Sequence, residues 1–146
     1  MLRDPSLVPL SHQHQHGLAL CVLVERALRE DSGPERAAEH ARTIMERFGS
    51  EIANHFAVEE NVLFPALAAL PLVTELLQEH REMERQVEAL RRAPAADRIM
   101  EFTSLLRRHI RREEGELFEQ AQRILPREVL DALGREIDAR VVRVCL

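Results

Sequence analysis

A histidine followed four residues later by a glutamate occurs twice in this chain of 146 residues, within segments that share further positions. The segments are HFAVEENVLF at 55–64, which pairs His55 with Glu59, and HIRREEGELF at 109–118, which pairs His109 with Glu113. Because residues four apart lie on one face of a helix, each segment places an imidazole and a carboxylate side by side. Two helices that each offer this pair to a shared centre are most simply explained by a metal.

Apolar residues share the helix faces of both pairs. They are Phe48, Ile52 and Val62 for the first pair and Ile99, Phe102 and Leu106 for the second. An imidazole and a carboxylate in an apolar surface are costly unless a partner satisfies them. The alternative interpretation is two helices that end in solvated His–Glu pairs. The repeat and the apolar neighbours disfavour it.

His80 lies on the apolar seam of a third helix, together with Val73, Leu76 and Met83. No carboxylate lies beside it on that seam, so taken alone His80 is typical of a satisfied core histidine. In a bundle, however, ligands converge when each helix contributes at a similar depth. We therefore predict that His80 is a third imidazole ligand.

The first helix offers three histidines, His12, His14 and His16. His14 and His16 are two residues apart and point to nearly opposite sides of a helix, so only one is expected to face inward. The apolar periodicity favours His14 slightly and leaves His16 open. His12 and His16 are four apart and form an alternative, surface metal site, which we consider the weaker interpretation. His40 precedes His55 by about 22 Å of helix and is predicted to be a solvated surface residue.

The predicted metal ligands are thus four imidazoles and two carboxylates. They are His55, Glu59, His80, His109 and Glu113, with either His14 or His16 from the first helix. One structural zinc ion uses four ligands, whereas imidazole and carboxylate suit iron or manganese. Two metals that share both glutamates, with two histidines each, account for the set. We predict two metal ions, with iron or manganese favoured and zinc as an alternative, and with open positions for a small ligand or a bridging oxide or hydroxide.

Periodicity and turn residues predict an all-α fold with five helices. Their expected ranges are 11–30, 34–64, 71–92, 95–124 and 126–140, with Ser11 as the cap of the first. Four long amphipathic helices with short turns predict an up-down-up-down antiparallel four-helix bundle over about 11–124. The short fifth helix and the tail occupy 126–146, and 1–146 is expected to be a single domain. The sequence assigns no role to the tail, 141–146, although a dimer contact is one option.

Composition excludes several classes of protein. Hydrophobic residues make up 45% and charged residues 31% of the chain, as in ordinary globular proteins. The formal net charge of −5 disfavours nucleic acid as a partner. There is no run of about 20 apolar residues and no apolar leader, so we expect no membrane association and a cytoplasmic location. Cys21 and Cys145 are too far apart in sequence to suggest a disulfide framework, which fits a reducing compartment.

The repeated segments resemble the hemerythrin-like (HHE cation-binding) domain family over about residues 9–123. The matching segments are PLSHQH at 9–14, HFAVEENVLFP at 55–65, EHREM at 79–83 and HIRREE at 109–114. The resemblance implies an up-down four-helix bundle that holds a non-heme di-iron centre. It also implies that His14 is the first-helix ligand. His55, His80 and His109 match the other imidazoles, and Glu59 and Glu113 match the bridging carboxylates.

The chain departs from the oxygen-carrying members of that family at Leu76. Those proteins place a further histidine there, one helical turn before His80. With leucine the site becomes more symmetric, which argues against simple reversible oxygen carriage. It looks more like the bacterial hemerythrin-like proteins linked to nitric oxide, oxidative stress and repair of iron centres.

Three functions remain as hypotheses. The first is a di-iron protein that binds or senses oxygen or nitric oxide, or takes part in iron handling and stress response. The second is an enzyme that reduces peroxide or nitric oxide, which needs an electron donor and a proton source; the apolar seams offer no residue for the latter. The third is a metal-free helical interaction module. A small diatomic ligand is the expected partner, and the protein is expected to be a monomer or a homodimer.

Overall fold

Five helices make up the computed structural model, which describes residues 2–144. They are α1 (Val8–Glu30), α2 (34–66), α3 (Pro71–Arg92), α4 (96–124) and α5 (Arg127–Arg140). Over residues 2–144 there is no β-strand. The all-helical prediction is therefore confirmed. The up-down order of the helices and the single domain stay predictions, and Cys145 lies outside the described residues.

The predicted boundaries of α1 and α2 need correction. α1 begins at Val8 with Pro9 in its first turn, where the missing N–H of proline costs no hydrogen bond. Ser11 lies inside this helix and does not cap it; its hydroxyl donates to Glu114 at 2.8 Å. α2 continues past Pro65, because this proline also occupies the first turn of a helical segment, Phe64–Ala66.

Three stretches of α2 and α4 form the wider π-helical turn. They are Phe48–Ile52 and Glu59–Leu63 in α2 and Glu113–Leu117 in α4. The last two begin at the glutamate of each repeated segment, so the repeat extends from sequence to backbone conformation. Single π turns inside α-helices occur frequently at functional sites.

Two apolar clusters fill the interior at opposite ends of the long helices. The first contains residues such as Cys21, Ile52, Met83 and Phe102, and the second contains Leu10, Leu63, Leu76 and Leu117. Along the chain, the early residues of α1 and α3 belong to the second cluster and their later residues to the first cluster. The order is reversed in α2 and α4. On all four helices the predicted ligands lie where the helix passes from one cluster to the other. The clusters thus enclose one polar layer.

None of the helices within residues 2–144 combines the length and the apolar character that crossing a membrane requires.

α5 packs against the N-terminal segment, residues 2–7. The Arg127 guanidinium donates to both carboxylate oxygens of Asp4, at 2.6 and 2.9 Å, and these bonds hold the pKa of Asp4 well below its usual range. Gly134 of α5 lies so close that a Cβ atom built on it would approach the Cα atom of Ser6 to 2.9 Å. A glycine at this helical position therefore permits the backbones to touch.

We expect Gly134→Ala to lower the free energy of unfolding by about 1–3 kcal/mol, because the added methyl group overlaps the backbone of Ser6. Chemical denaturation measures this. Gly49→Ala is the control: its Cβ meets nothing within 4 Å, and alanine favours a helix by up to about 1 kcal/mol. Equal effects of the two substitutions would contradict the proposed close contact.

Candidate metal centre

All six predicted ligands lie together and are buried. Their exposed fractions are 3% for His14, 5% for His55, 1% for His109 and 0% for Glu59, His80 and Glu113. α1 and α3 contribute one histidine each, whereas α2 and α4 each contribute a histidine and a glutamate. The structure thus brings together the six residues that the sequence pattern and the family resemblance together predicted.

The six residues form two groups that share both carboxylates. One group is His14, His55, Glu59 and Glu113, and the other is His80, His109, Glu59 and Glu113. Within each group, one potential ligand atom from every residue lies within 4.8 Å of the others. This is the division, two histidines and two shared glutamates for each metal, that we predicted from the sequence. The role of these residues as ligands stays a prediction.

The four imidazoles direct their Nε2 atoms toward the shared carboxylates. His14 Nε2 lies 2.8 Å and His109 Nε2 lies 3.4 Å from Glu113 Oε1. The Nε2 atoms of His55 and His80 lie 3.3 and 3.1 Å from Glu59 Oε1. Imidazole nitrogens and carboxylate oxygens thus meet at the distances of a single compact centre.

Several of these inward atoms form no hydrogen bond with any described residue. They are His55 Nε2, both carboxylate oxygens of Glu59 and Glu113 Oε2. Buried polar atoms in proteins are nearly always satisfied, because leaving one unpaired costs free energy. A cation between the two carboxylates would satisfy these lone pairs. The nitrogen and oxygen donors fit iron or manganese.

An outer partner holds each imidazole through its Nδ1–H. The bonds run from His14 to Glu114 (2.7 Å), from His55 to Gln13 (2.8 Å), from His80 to Glu60 (2.8 Å) and from His109 to Glu79 (2.8 Å). A proton held on Nδ1 leaves the Nε2 lone pair free to bind a metal, and such partners orient metal-binding histidines.

Three of the outer partners are glutamates that also pair with arginines. Arg3 contacts Glu114 at 3.4 Å, Arg112 contacts Glu79 at 2.8 Å and Arg81 contacts Glu60. Sequence reasoning missed these roles. The signal was present, because Glu60 and Glu114 are the second members of the repeated Glu-Glu pair. The first glutamate of each pair faces the centre, and the second holds a histidine of another helix.

The family model described as hemerythrin HHE cation binding domain matches residues 8–121. The chain belongs to this family. No curated protein and no solved structure matches it. The buried His and Glu groups of this HHE domain agree with the cation binding that the family description states.

Burial and charge distribute protons unevenly among the side chains of this HHE domain. Burial disfavours the charged imidazole, but Glu59 and Glu113 outweigh burial and raise the pKa of His55 to about 9. Glu113 likewise raises the pKa of His109 to about 10, whereas burial lowers the pKa of His80 to about 2. Burial and the charge of Glu113 raise the pKa of Glu59.

The remaining histidines lie outside this group of ligands. His16 is half-buried and its Nδ1 bonds to Glu51 at 2.6 Å, so His14 and not His16 reaches the centre. His12 is exposed. His40 is half-buried with its Nε2 fully enclosed, so the prediction of a solvated residue is wrong.

A small cavity adjoins the group that contains His14 and His55. Its volume is about 20 Å³, which is close to the space that one water molecule occupies. It is lined by the ligands His14, His55 and His109, by Gln13 and Glu51, and by Gly17, Ile52, Phe56, Leu106 and Ile110. Apart from the three histidines, Gln13 and Glu51, the wall is therefore apolar.

We expect metal uptake at pH 7 to release at least two protons per chain, because the raised pKa values leave His55 and His109 protonated below pH 9. A metal binds only the neutral imidazole, so affinity should rise with pH until both histidines are neutral. A pH indicator in weakly buffered solution measures the release during anaerobic addition of iron(II). Uptake without proton release would contradict this assignment.

We also expect Glu114→Ala to weaken metal binding by about 10- to 100-fold, since it removes the acceptor that orients His14. Competition with a chelator measures the affinity. The control is Glu116→Ala, which removes a side chain that is 58% exposed on the same π turn. Equal affinities of the two variants would show that the outer carboxylate does not orient the imidazole.

Proposed function

We propose that this HHE domain holds two non-heme iron ions and binds or senses oxygen or nitric oxide through them. The observation that carries the proposal is the pair of four-residue groups that share Glu59 and Glu113 and lie fully buried. A role in iron handling or stress response follows from the same chemistry. We further propose a cytoplasmic location, a monomer or homodimer, and no nucleic acid or membrane partner.

Donor chemistry supports iron or manganese over a structural zinc ion. Each group supplies two imidazole nitrogens and two shared carboxylates, a set that suits iron or manganese and contains no cysteine. When bound, reduced iron would supply electrons and open coordination positions for a diatomic molecule. The residues of the chain would hold it by His14 and His55 on one side and by His80 and His109 on the other, with Glu59 and Glu113 between.

The size of the adjacent cavity supports a diatomic ligand. A space of about 20 Å³ beside His14 and His55 accommodates a molecule as small as water, oxygen or nitric oxide. Its apolar wall, formed by residues such as Leu106 and Ile110, favours an uncharged ligand over an ion.

The symmetry of the centre supports sensing or handling of the ligand over reversible carriage. Leu76 is fully buried in the second apolar cluster, so that position supplies no fifth imidazole. Both groups then have two histidines. The alternating order in which α1 to α4 cross the two clusters also supports the proposed up-down-up-down bundle.

A di-iron reductase for peroxide or nitric oxide is a second candidate, favoured by one observation. Glu51 lines the cavity and accepts a hydrogen bond from His16 at 2.6 Å. This pair supplies the titratable group beside the centre that the helix seams lack, and general acid chemistry needs such a group. The enzyme would also need an external electron donor, so turnover with a chemical reductant separates the two candidates.

We expect two iron ions per chain after anaerobic purification, and Glu59→Ala should lose most of them because both groups share this carboxylate. Elemental analysis measures the content. Glu46→Ala is the control, since Glu46 is exposed on the same helix. Full retention of two ions by Glu59→Ala would rule out a shared ligand, and a single zinc or no metal in the unmodified protein would favour the interaction module.

We expect the absorption spectrum of the two-iron protein to change on exposure to oxygen or nitric oxide, because the cavity adjoins the centre. Stopped-flow spectroscopy gives the rate, and removal of the gas tests reversibility. Rapid binding without turnover is the behaviour of a sensor. A two-iron protein whose spectrum responds to neither gas would contradict the proposed ligand.

A further inference from the structure

The backbone of the C-terminal segment, residues 141–144, is bonded to side chains beside the metal centre. The Val142 N–H donates to Asn54 Oδ1 at 2.8 Å, and the Val142 carbonyl accepts from Gln13 Nε2 at 3.1 Å. Asn54 Nδ2 donates to the carbonyl of Arg140 at 2.9 Å. One asparagine and one glutamine thus fasten the end of the described chain to α1 and α2.

Gln13 continues this network to a predicted ligand. Its side-chain nitrogen donates to Asn54 Oδ1 at 3.0 Å as well as to Val142, and its Oε1 accepts from His55 Nδ1 at 2.8 Å. Gln13 is only 8% exposed, so water competes little for these bonds.

The donors and acceptors of this hydrogen-bond network can be assigned in only one way. A backbone N–H only donates and a backbone carbonyl only accepts, so the groups of Arg140 and Val142 set which end of the Asn54 amide faces them. Asn54 and Val142 then require the nitrogen end of Gln13, which turns its oxygen toward His55. His55 must therefore donate through Nδ1, so its Nε2 is the ring nitrogen that faces the centre.

His55 differs in this respect from the other three histidines. Carboxylates hold His14, His80 and His109, whereas a neutral amide holds His55. That amide is itself oriented by the C-terminal segment. The group with His14 and His55 therefore depends on residues beyond the four long helices.

We propose that metal binding at the group with His14 and His55 is coupled to docking of the C-terminal segment through Gln13 and Asn54. The inference rests on the proposed function. The docked segment orients His55 for the metal, and by thermodynamic reciprocity the bound metal holds the segment in place. Whatever displaces the segment weakens one of the two sites and spares the group with His80 and His109.

The first test removes the anchor of the segment. Cobalt(II), used as a probe, is titrated anaerobically into the full-length protein and into Asn54→Ala, in competition with a chelator. We expect two ions per chain, with one site weakened about ten-fold or more in the variant and the other unchanged. Asn61→Ala, at an exposed position of the same helix, is the control. Two unchanged sites, or two equally weakened ones, would overturn the coupling.

The second test separates the contact of Gln13 with His55 from its contacts with Val142 and Asn54. Gln13→Glu can accept from His55 as the other three carboxylates do, but a carboxylate cannot donate to Val142 or Asn54. We expect the segment to be released in this variant at cobalt concentrations that load both sites of the unmodified protein. Amide hydrogen exchange at Val142 measures docking of the C-terminal segment. Loading with cobalt should slow this exchange about ten-fold in the unmodified protein, whereas the exchange should stay fast in Gln13→Glu.

The outcomes distinguish the two proposals. An unmodified protein that binds no pair of metal ions overturns both the proposed function and the coupling. A protein that binds two ions, but whose Val142 exchange is the same with and without cobalt, overturns the coupling alone. If cobalt also slowed exchange at Val142 in Gln13→Glu, the proposed coupling would be overturned, because Gln13 would then not transmit it.

Discussion

Burial of two carboxylates side by side is the constraint on which the rest of the structure depends. Glu59 and Glu113 are fully buried, and each also lies near imidazoles that pair with the other. Three of their four carboxylate oxygens form no hydrogen bond within the described chain. Removing such charges from water costs several kcal/mol unless cations or protons compensate. The two apolar clusters supply the stability that tolerates this layer, and the surrounding residues are arranged to neutralise it.

Acidic and basic side chains alternate outward from these two carboxylates. Carboxylates lie at the centre, imidazoles surround them, glutamates hold three of the imidazoles, and arginines pair with those glutamates. Such second partners fix the orientation of metal ligands and raise their basicity. The fourth imidazole, His55, is held instead by Gln13 and through it by a backbone segment, so three imidazoles are oriented by charged partners and one by chain conformation.

The sequence predicted the chemistry of this site better than its surroundings. Spacing of four identified His55 with Glu59 and His109 with Glu113, because a helix converts that spacing into adjacency. Helical periodicity could not decide between His14 and His16, since each lies on an apolar stripe. It also could not reveal the π turns, which break the period on which the reasoning depends, or the contact from Val142 to Gln13, which joins distant parts of the chain.

The outer contacts relate the two halves of the chain by an approximate twofold symmetry. Each half is a pair of consecutive helices with one histidine on its first helix and a His–Glu pair on its second, and the residue before that first histidine, Gln13 or Glu79, holds the histidine of its own pair. Glu60 and Glu114 instead reach across to the first histidine of the other half. Neither half can therefore assemble a complete four-residue group alone. The two halves are interlocked, and loss of either one would dismantle both groups at once.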